Sequence, residues 1–447
     1  MIRQRNFSQL REILCGFAAP DIAEIFTDLG SDDEAVLLRI LPNQTAADVF
    51  EYLSLEEQEK LVHALGNEQV AQILNDLSPD DRTALLEELP AAVTQKLLNL
   101  LSPEQRKIAA GLLGYPKESI GRRMTPEYIA IQQNWTVGDV LAHLRKVGKE
   151  REALNQLYVI DEKKRLVDSV RLRNIVVSDL DTPITELLDQ QPVTLRATDD
   201  QETAVAMFKK YDRTVLPVID SRDVLVGAVT VDDVLDVAEK EATEDIQKMG
   251  GMEALDAPYL KISLLSMIRK RAGWLAILFV GEMLTATAMG YFQDEIAKAV
   301  VLALFVPLII SSGGNSGSQA TSLIIRALAV RDIALTDWWR VIRRELVAGL
   351  ALGCVLAAIA LVRILLWPQR EKVYGPHFVL VAATVACSLI GVVLFGSLAG
   401  SMLPFVLRRL GFDPAAASAP FVATLVDVTG LVIYFTIAYQ ILHGTLL

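Results

Sequence analysis

Five long apolar stretches fill the second half of the 447-residue chain and constrain its fold more than any other feature. They cover roughly residues 272–291, 299–325, 346–366, 377–407 and 420–442. Each has about the 20 predominantly apolar residues that an α-helix needs to cross a bilayer. With 52% hydrophobic residues and a mean hydropathy of +0.34, the chain is too apolar for an ordinary soluble protein. The sequence therefore predicts a domain of five transmembrane helices.

The last stretch carries a carboxylate near its middle, because Asp427 lies within the sequence PFVATLVDVTGLVIYFTIAYQIL. A charged residue at this depth costs about 2.5–3.5 kcal/mol to insert, and it almost always faces a helix bundle or a water path. A cation pathway is the functional interpretation of Asp427, and structural pairing is the alternative. The first stretch holds a second acid, Glu282, which either belongs to the same pathway or forms a hydrogen bond with a neighbouring helix.

An intramembrane aspartyl enzyme is a further class that such acids bring into question. That chemistry needs two cooperating carboxylates. Asp427 and Glu282 lie on different spans, and neither lies in a G-x-G-D sequence. The sequence therefore predicts that the chain is not an enzyme.

The second stretch is interrupted by small and polar residues in the segment PLIISSGGNSGSQ, which begins at Pro307. Irregular backbone at membrane depth is tolerated only where it is buried in protein or lines a water cavity, so this segment predicts a broken helix beside a pathway. Small residues also allow close helix packing, which is the second interpretation. The candidate pore-lining residues are Pro307, Ser312, Gly313, Gly314, Asn315 and Gln319 here, and Thr424 and Gly430 in the last stretch.

Charge divides the chain into two parts. Residues 1–250 carry 44 acids and 28 bases, a balance of −16, whereas residues 251–447 carry 11 acids and 15 bases, a balance of +4. A negative field of the first kind attracts cations and argues against nucleic acid as a partner. Basic residues lie before the first apolar stretch, between the second and third, and between the fourth and fifth. This pattern predicts that the N-terminal domains are cytoplasmic and that the C-terminus lies outside.

The first 120 residues repeat with a period of twelve. Leucine recurs every twelve residues from Leu29 to Leu113, and each of these leucines is followed by Gly, Pro or Ser. Pro and Gly end helices, and Ser caps the helix that follows, as in Ser78-Pro79. Short helical units of fixed period stack on one another, so residues 1–120 are predicted to form an all-α helical solenoid. This domain is either a docking or sensing module or a passive scaffold.

Two segments in the middle of the chain align without gaps at an offset of 59 residues. They are residues 157–176, LYVIDEKKRLVDSVRLRNIV, and residues 216–235, LPVIDSRDVLVGAVTVDDVL. Each copy has the strands and helices of a small α/β unit. The pair resembles tandem CBS domains, with the first over residues 121–182 and the second over residues 183–241.

The two copies differ where CBS domains bind nucleotides. In the second copy, Gly227, Thr230 and Asp233 match the G-x-x-T-x-x-D pattern that often marks a nucleotide-binding cleft. The corresponding residues of the first copy are Asp168, Arg171 and Asn174. ATP at the CBS pair is therefore left open as a cofactor.

An acidic helix is predicted to join the two halves. The sequence VDDVLDVAEKEATEDI, which begins at Val231, places five acids largely on one side of a helix; these are Asp233, Asp236, Glu241, Glu244 and Asp245. Like charges four residues apart destabilise a helix by about 0.2–0.5 kcal/mol per pair, so a folded helix of this kind favours a compensating cation. Carboxylates bind the hard ions Mg²⁺ and Ca²⁺. The helix is either cation-responsive or simply a solvated face.

The order of these parts resembles the MgtE family of magnesium channels and transporters over nearly the whole chain. The most specific stretches are the acidic helix, the segment PLIISSGGNSGSQATSLIIRALA, and LRRLGFDP followed by PFVATLVDVTGL. The resemblance implies a multidomain membrane protein, with an acidic connecting (plug) helix over residues 242–268 and a five-helix transmembrane domain over residues 269–447. It also implies a homodimer in which Asp427 of each protomer is the pore ligand.

The same resemblance implies regulatory Mg²⁺ sites on cytoplasmic acids. The matching residues are Asp80, Glu202, Asp212, Asp233, Asp236, Glu241, Glu244, Asp245 and Asp413. We therefore expect Mg²⁺-selective, channel-like transport across the inner membrane of the cell, gated by cytosolic Mg²⁺. The alternative is a coupled transporter for another divalent cation, such as Co²⁺ or Mn²⁺, or ion-coupled export of Mg²⁺.

Overall fold

The computed structural model of the chain divides into two compact units, Met1–Glu239 and Lys240–Leu447. The residues that it describes are 7–26, 29, 31–148, 154–188, 192–255, 259–260 and 262–446. For residues 31, 32, 55 and 56 only the backbone is described.

The first unit begins with short helices of the predicted period. Within the described ranges they are α1 Phe7–Leu14, α2 Ala19–Phe26, α3 Ser31–Ile40, α4 Asn43–Glu51, α5 Leu55–Ala64, α6 Asn67–Asp76, α7 Pro79–Glu88, α8 Ala91–Leu100 and α9 Pro103–Leu113. The hydroxyl of Ser78 accepts a hydrogen bond from the N–H of Asp81, and Ser102 caps α9 in the same way. In α7 and α9 the capping serine and the following proline begin the helix directly after the periodic leucine.

These helices pack on their second neighbours along the chain. α4 lies between α2 and α6, and α7 packs against both α5 and α9. The buried side chains of Phe26, Phe50, Leu61, Leu74 and Leu85 form one continuous core along the array. The predicted helical solenoid is therefore confirmed.

Two three-stranded sheets follow, and their registers match. In the first sheet β1 Ala130–Gln132 runs parallel to β2 Gln156–Ile160, which pairs antiparallel with β3 Leu166–Arg171. In the second sheet β4 Leu195–Arg196, β5 Val215–Ile219 and β6 Leu225–Thr230 repeat that order. The register of each antiparallel pair shifts at the same point, at Val159/Ile160 and at Val218/Ile219. The helices of the two copies are α10 Val137–Val147, α11 Leu172–Val177 and α12 Gln201–Tyr211.

The two sheets are joined as a pseudo-symmetric pair. The N–H of Leu166 donates to the carbonyl of Asp223 at 3.1 Å, and the N–H of Leu225 donates to the carbonyl of Lys164 at 3.1 Å. A buried apolar cluster that includes Tyr158 fills the space beside these bonds. The prediction of a tandem CBS pair is thus confirmed.

The acidic helix begins with the acidic sequence at Val231 and ends well before residue 268. Helix α13 runs without interruption over Val231–Met249, so it begins inside the range assigned to the second CBS domain. It does not continue to residue 268, because Gly250 follows and Gly251 adopts a left-handed φ of +72°. A Cβ on Gly251 would also lie 2.8 Å from the Trp274 ring.

The second unit contains five helices that are long and apolar enough to cross a membrane, which confirms the predicted number within the described residues. The α-helices described after α13 are α14 Leu264–Tyr291, α15 Gln293–Lys298, α16 Val300–Ala303, α17 Val306–Ala329, α18 Trp338–Leu365, α19 Arg370–Tyr374, α20 Phe378–Arg409 and α21 Ala419–Leu442. Helix α20 packs against α17, α18 and α21, and α14 packs against α21.

The expectation of irregular backbone in the second span is wrong at the position where the sequence placed it. Helix α17 is continuous through residues 307–319, and the interruption of this span lies earlier, at Leu304 and Phe305. Proline is tolerated in the first turn of a helix, so Pro307 follows the interruption without breaking α17. Gly313, Gly314 and Gly317 are helical, and neighbouring helices approach them closely.

Candidate functional site

Asp427 lies half-buried on α21, and Glu282 of α14 is the acid beside it. The two helices touch next to both acids, since a Cβ on Gly281 would lie 2.8 Å from Cγ2 of Thr424. These carboxylates are separated by about 145 residues on different spans, so a shared pathway was one of two interpretations of Glu282 and their contact was not predicted. The packing of α14 on α21 brings them together.

The glycines of α17 serve close helix packing within the single chain. A Cβ on Gly396 would lie 2.3 Å from the carbonyl oxygen of Gly313, and a Cβ on Gly400 would lie 2.2 Å from that of Gly317. The hydroxyl of Thr321 donates to the carbonyl of Gly400 at 2.9 Å in the same interface. These contacts show that Gly313 serves close helix packing, as the second interpretation of this segment predicted. A pore-lining role for Gly313, Gly314 and the buried Gly430 stays a prediction.

The opposite face of α17 is polar and exposed. Pro307, Asn315 and Gln319 are exposed at spacings of four or eight residues, which places them on one face of the helix. The amides of Asn315 and Gln319 have no hydrogen-bond partner among the residues that the structure describes. Ser312, on the same side, donates to the carbonyl of Leu308 at 2.7 Å. We call Ser312, Asn315 and Gln319 the α17 polar stripe.

This stripe lies beside the helix of Asp427. Gly314 packs against Ala423, with its Cβ position 3.5 Å from the Ala423 side chain, and Ala423 is one turn from Asp427. The hydroxyl of Ser318 donates to the carbonyl of Ala419 at 3.3 Å on the same two helices. Thr424, another predicted pore residue, is half-buried and donates to the carbonyl of Pro420 at 3.0 Å.

Two hydrogen bonds of the membrane unit were missed by sequence reasoning. The buried Tyr434 hydroxyl donates to the carbonyl of Leu302 at 2.8 Å, which satisfies backbone beside the break at residues 304–305. The indole of Trp274 donates to the hydroxyl of the buried Ser418 at 3.2 Å. A polar aromatic ring in an otherwise apolar stretch was the available signal, because such groups find a partner when buried.

A first cluster of acids lies in the first unit, between α4, α7 and α13. Asp80 is only 5% exposed, and its Oδ1 atom has no hydrogen-bond partner. It faces Asp233 within hydrogen-bonding reach, while Thr230 donates to Oδ2 of Asp233 at 2.5 Å. Burial and then the neighbouring carboxylates raise the pKa of both Asp80 and Asp233. The buried carboxyl group of Asp80 and the half-buried carboxyl group of Asp233 therefore face each other.

Further acids surround this pair. Burial and the nearby Asp81 and Asp232 raise the pKa of Asp236, and Asp81 also lies beside Glu51. Arg123 partly offsets this repulsion, because its charge lowers the pKa of Asp81 and Asp236. Of the predicted regulatory residues, Asp80, Asp233 and Asp236 are thus brought together.

A second cluster lies in the second unit, at the end of α13. Burial and then the charge of Asp413 raise the pKa of Asp245 to about 6, and Glu241 and Glu244 add to the effect. The ammonium of Lys248 binds Asp413 at 2.6 Å and also pairs with Glu244. Burial alone would lower the pKa of Lys248, but these two partners outweigh it and raise that pKa. The predicted residues Glu241, Glu244, Asp245 and Asp413 are therefore neighbours.

Two predicted regulatory residues lie elsewhere. Glu202 is exposed in the first turn of α12. Asp212 follows the end of α12 with a left-handed φ of +48° and lines a cavity that it shares with Arg171 and Arg213. At its described position, neither residue belongs to either of the two acid clusters.

The acids fit Mg²⁺ as pairs rather than as a complete coordination shell. Across the described ranges, no group of three or more His, Cys, Asp or Glu side chains is arranged to hold a metal. Mg²⁺ usually keeps several waters and takes one or two carboxylates from a protein. The facing carboxyls of Asp80 and Asp233, with one orphaned buried oxygen, meet that requirement.

The cleft with the nucleotide pattern is filled by the chain itself. A Cβ on Gly227 would lie 2.7 Å from the sulfur of Met124, so the glycine is covered. Thr230 and Asp233 are engaged with each other and with Asp80. The open cavity of the CBS pair lies instead on the side of the first copy, at Arg171.

Five membrane-length helices with acidic and amide side chains, preceded by a helical domain and a CBS pair, define a multi-pass membrane protein of the cation-transporter class. The chain belongs to the MgtE family. A family model described as divalent cation transporter matches residues 306–437, and the MgtE intracellular N domain matches residues 18–118. CBS domain models match residues 118–181 and 184–240.

Named relatives cover most of the chain. "Magnesium transporter MgtE" of Thermus thermophilus is 42% identical over 74% of this chain and 72% of its own. The protein of the same name from Bacillus subtilis is 31% identical over the same shares. The crystal structure of the cytosolic domain of the Mg²⁺ channel MgtE in complex with ATP is 37% identical, with a TM-score of 0.51, over 53% of this chain and 96% of that chain.

Proposed function

We propose that this chain transports Mg²⁺ across the inner membrane by channel-like flux, as a homodimer in which Asp427 of each protomer lines one central pathway. The names of the two curated relatives support Mg²⁺ as the transported ion. The family model that spans residues 306–437 supports a divalent cation. No catalytic step is assigned to any residue.

The observation that carries the proposal is the exposure of polar groups on membrane helices. Asn315 and Gln319 turn their amides away from the core of their own chain, and Asp427 is only half-buried. Such groups are costly against lipid and face either protein or water in membrane proteins. Helix α14, which is described over its whole length, has no buried residue, so the single chain leaves that surface uncovered as well. A second protomer and a water-filled path would satisfy these side chains.

The chemistry of the ion suits this arrangement. Mg²⁺ dehydrates reluctantly and usually keeps several waters, so carboxylates and amides would bind it largely through its hydration shell. A bare divalent ion entering a low-dielectric region without compensating charge would face a prohibitive cost. Asp427 supplies that charge, and Glu282 beside it adds to the negative field.

Regulation follows from the two acid clusters. Cytosolic Mg²⁺ would be held by Asp80 and Asp233 in the first unit and by Asp245 and Asp413 in the second, where it offsets repulsion between carboxylates. At low Mg²⁺ that repulsion acts unopposed and favours separation of the elements that carry the acids. We propose that ion binding at these clusters closes the pathway and that its loss opens it. The remaining predicted residues, Glu202 and Asp212, stay predictions.

Flux into liposomes tests the transport proposal. The full-length chain is reconstituted, and uptake of Mg²⁺, Co²⁺, Mn²⁺ and Ca²⁺ is followed with trapped ion-sensitive dyes. Asp427→Ala should abolish uptake, and Asp427→Asn should keep the fold while losing most uptake, because the charge is lost and the shape is kept. The mass of the protein in detergent should correspond to two chains. Uptake that survives both substitutions would contradict the proposal.

The same preparation separates the alternatives. Uptake that requires a proton or sodium gradient would favour a coupled transporter over a channel. A preference for Co²⁺ or Mn²⁺ over Mg²⁺ would favour another divalent cation as the natural ion. Patch recordings with cytosolic Mg²⁺ stepped from micromolar to about ten millimolar test the gating, because flux that stays constant would reject the regulatory role of the clusters.

ATP at the CBS pair is a second proposed ligand. It rests on the relative whose cytosolic domain was crystallised in complex with ATP. In this chain the open cavity of the pair is lined by Arg171 of the first copy and by Arg213 and Thr214 of the second.

A further inference from the structure

Basic and aromatic side chains gather where α18 ends and the chain crosses to α20. We call this group the α18–α20 basic cluster, and its members are Arg363, Trp367, Arg370, Lys372 and Phe378. The connection includes the short helix α19, whose Tyr374 is buried against Phe305 with the ring centroids 5.7 Å apart. The connection is therefore packed on the membrane helices, and the cluster is held at the end of the bundle.

The cluster places positive charge at an end of the bundle where little is expected. Its three bases are accompanied by one acid, Glu371. The other connection at this end, residues 292–305, has two acids and one base, and residues 443–447 have no Asp, Glu, Lys or Arg. On the orientation predicted from the basic loops this end lies outside the cell, where Lys and Arg are less frequent. The charge of the cluster is therefore not explained by the orientation of the chain.

Aromatic rings hold two guanidinium groups in place. The Cζ atom of Arg363 lies 3.5 Å from the ring centroid of Trp367, and that of Arg370 lies 4.9 Å from the ring centroid of Phe378. Both distances are in the range of cation–π attraction. Arg370 also donates a hydrogen bond to the carbonyl of Leu365, so both arginines meet at the last turn of α18. The two charges are thus positioned side by side at the membrane surface.

The bases of the cluster have no counter-charge within the membrane unit. In residues 262–446, Arg363, Arg370 and Lys372 form no ion pair. A guanidinium group has five N–H donors, and the hydrogen bond to Leu365 leaves most of those of Arg370 available. Such a group presents a planar fork that matches two oxygens of a phosphate. The cluster therefore suits a phosphate group at the end of the bundle.

An apolar stripe on α18 leads to the cluster. Four aliphatic side chains, each more than half exposed, recur at spacings of four, three and four residues, and they are Val355, Ile359, Val362 and Leu366. These spacings place them on one face of the helix, and Arg363 lies beside that face at its end. Helix α18 packs mainly on α20, and it is not among the helices that carry Asp427, Glu282 or the α17 polar stripe. Aliphatic side chains of this kind contact acyl chains, while Arg and Trp lie at the level of the headgroups.

We propose that the α18–α20 basic cluster binds the headgroup phosphate of an anionic phospholipid, whose acyl chains lie along the apolar stripe of α18. The lipid supplies the negative charge that Arg363, Arg370 and Lys372 lack within the chain. A free phosphate would meet the same charges but would leave the stripe uncovered, so the observations favour the lipid. This inference goes beyond the transport function, and it does not depend on which ion crosses the membrane.

Native mass spectrometry of the full-length protein in detergent tests the ligand class. The protein is titrated with phosphatidylglycerol or with phosphatidylcholine of the same acyl chains. Phosphatidylglycerol should bind at least about fivefold more tightly, because phosphatidylcholine carries a compensating positive charge. Glycerol 3-phosphate should not displace phosphatidylglycerol, because it has no acyl chains to cover the stripe. Displacement by glycerol 3-phosphate would assign the cluster to a free phosphate, and equal binding of the two lipids would overturn the proposal.

Charge-removing variants locate the lipid. Arg363→Gln and Arg370→Gln should each weaken the binding of one phosphatidylglycerol molecule per chain by about fivefold, because each removes one charge from the headgroup contact. Lys298→Gln is the matched control, since Lys298 is an exposed base at the same end of the bundle but outside the cluster. It should leave lipid binding unchanged.

The folding of each variant is checked by its thermal midpoint in detergent without added lipid. If one arginine variant is misfolded, Lys372→Gln takes its place, because Lys372 is exposed and belongs to the same cluster. Equal binding of phosphatidylglycerol by the wild type and all correctly folded cluster variants would overturn the assignment.

Discussion

Asp427 and Glu282 form a pair of neighbouring acids on two membrane helices. Two carboxylates close together in a region of low dielectric repel one another strongly unless a cation or a proton compensates them. In the proposed homodimer the one central pathway would therefore contain four acids rather than two. The additional negative charge increases the attraction for a divalent ion inside the membrane, where bulk water is not available to hydrate the ion.

Loss of the second acid should weaken transport without abolishing it. Glu282→Gln should lower Mg²⁺ uptake into liposomes by about tenfold, equivalent to about 1.4 kcal/mol in the barrier, because one charge of the pair is removed. Glu345→Gln, a half-buried acid on α18, is the control and should leave uptake within about twofold. If Glu282→Gln transports at the wild-type rate, the second acid plays no part in the pathway.

Glycines at the contact between α17 and α20 are required for steric reasons, because the two backbones leave no room for a side chain. Gly400→Ala should destabilise the membrane unit by about 1–3 kcal/mol, because its Cβ position is 2.2 Å from the carbonyl oxygen of Gly317. Gly273→Ala on α14 is the matched control, since nothing lies within 4 Å of its Cβ position. The thermal denaturation midpoint of the two variants in the same detergent measures the difference. Equal midpoints would show that α17 and α20 do not pack closely in the folded protein.

Helix α13 shows how one element carries two kinds of acid site. Near its start Asp233 faces Asp80, and near its end Lys248 lies between Glu244 and Asp413. The ammonium of Lys248 partly neutralises the second cluster, whereas Asp233 lies beside the neutral Thr230 and the acidic Asp80. The two ends of the helix should therefore respond to Mg²⁺ with different affinity.

Removal of this lysine should sensitise the second cluster to Mg²⁺. In Lys248→Gln, the carboxylates of Glu244 and Asp413 lose their competing ammonium, so the Mg²⁺ concentration for half-closure should fall by about threefold to tenfold. Lys298→Gln, an exposed lysine of α15, is the control. Patch recordings over a cytosolic Mg²⁺ series measure the shift. A rise in that concentration would mean that Lys248 closes the pathway itself.

For the molecule as a whole, pH and Mg²⁺ should act on the same acids. The pKa of Asp245 is raised to about 6, and those of Asp80 and Asp233 are also raised, so the folded protein retains protons that the unfolded chain releases. In the absence of Mg²⁺, stability should therefore be higher at pH 5.5 than at pH 8 and should fall as pH rises through about 4–6.

Mg²⁺ should reverse this trend, because it binds the deprotonated carboxylates and protons compete with it. Its addition should raise the thermal midpoint more at pH 8 than at pH 5.5. Asp80→Asn and Asp245→Asn should each reduce both effects, whereas Asp76→Asn, an exposed acid on α6, should change neither. Equal stabilisation by Mg²⁺ at the two pH values would contradict a role for these acids as ion ligands.

Periodic and chemical signals made most of the architecture predictable. The twelve-residue leucine period predicted the helical array, and the repeat at an offset of 59 residues predicted the CBS pair. The hydropathy of the second half predicted five membrane spans. Contacts between distant segments were not predictable in this way. The approach of Glu282 to Asp427, and of Asp80 to Asp233, depends on tertiary packing that no local pattern encodes.

The composition of the second span led to one wrong prediction. A run of glycines and polar residues predicted irregular backbone at residues 307–319, yet α17 is continuous there because α20 supplies close contacts to Gly313 and Gly317. Local helix propensity is a weak prior that such packing overrides. The actual interruption, at Leu304 and Phe305, carries no local composition signal beyond the proline that follows it.

The shared strand register of the CBS copies has a consequence for how this protein can diversify. Because the two scaffolds bend and pair alike, ligand preference can be exchanged between them through a few side chains without redesign of the backbone. An interchange at Asp168 with Gly227, at Arg171 with Thr230 and at Asn174 with Asp233 would exchange the charges of the two clefts. The repeated fold thus provides the chain with two equivalent backbone frames, each of which can carry its own ligand-binding side chains.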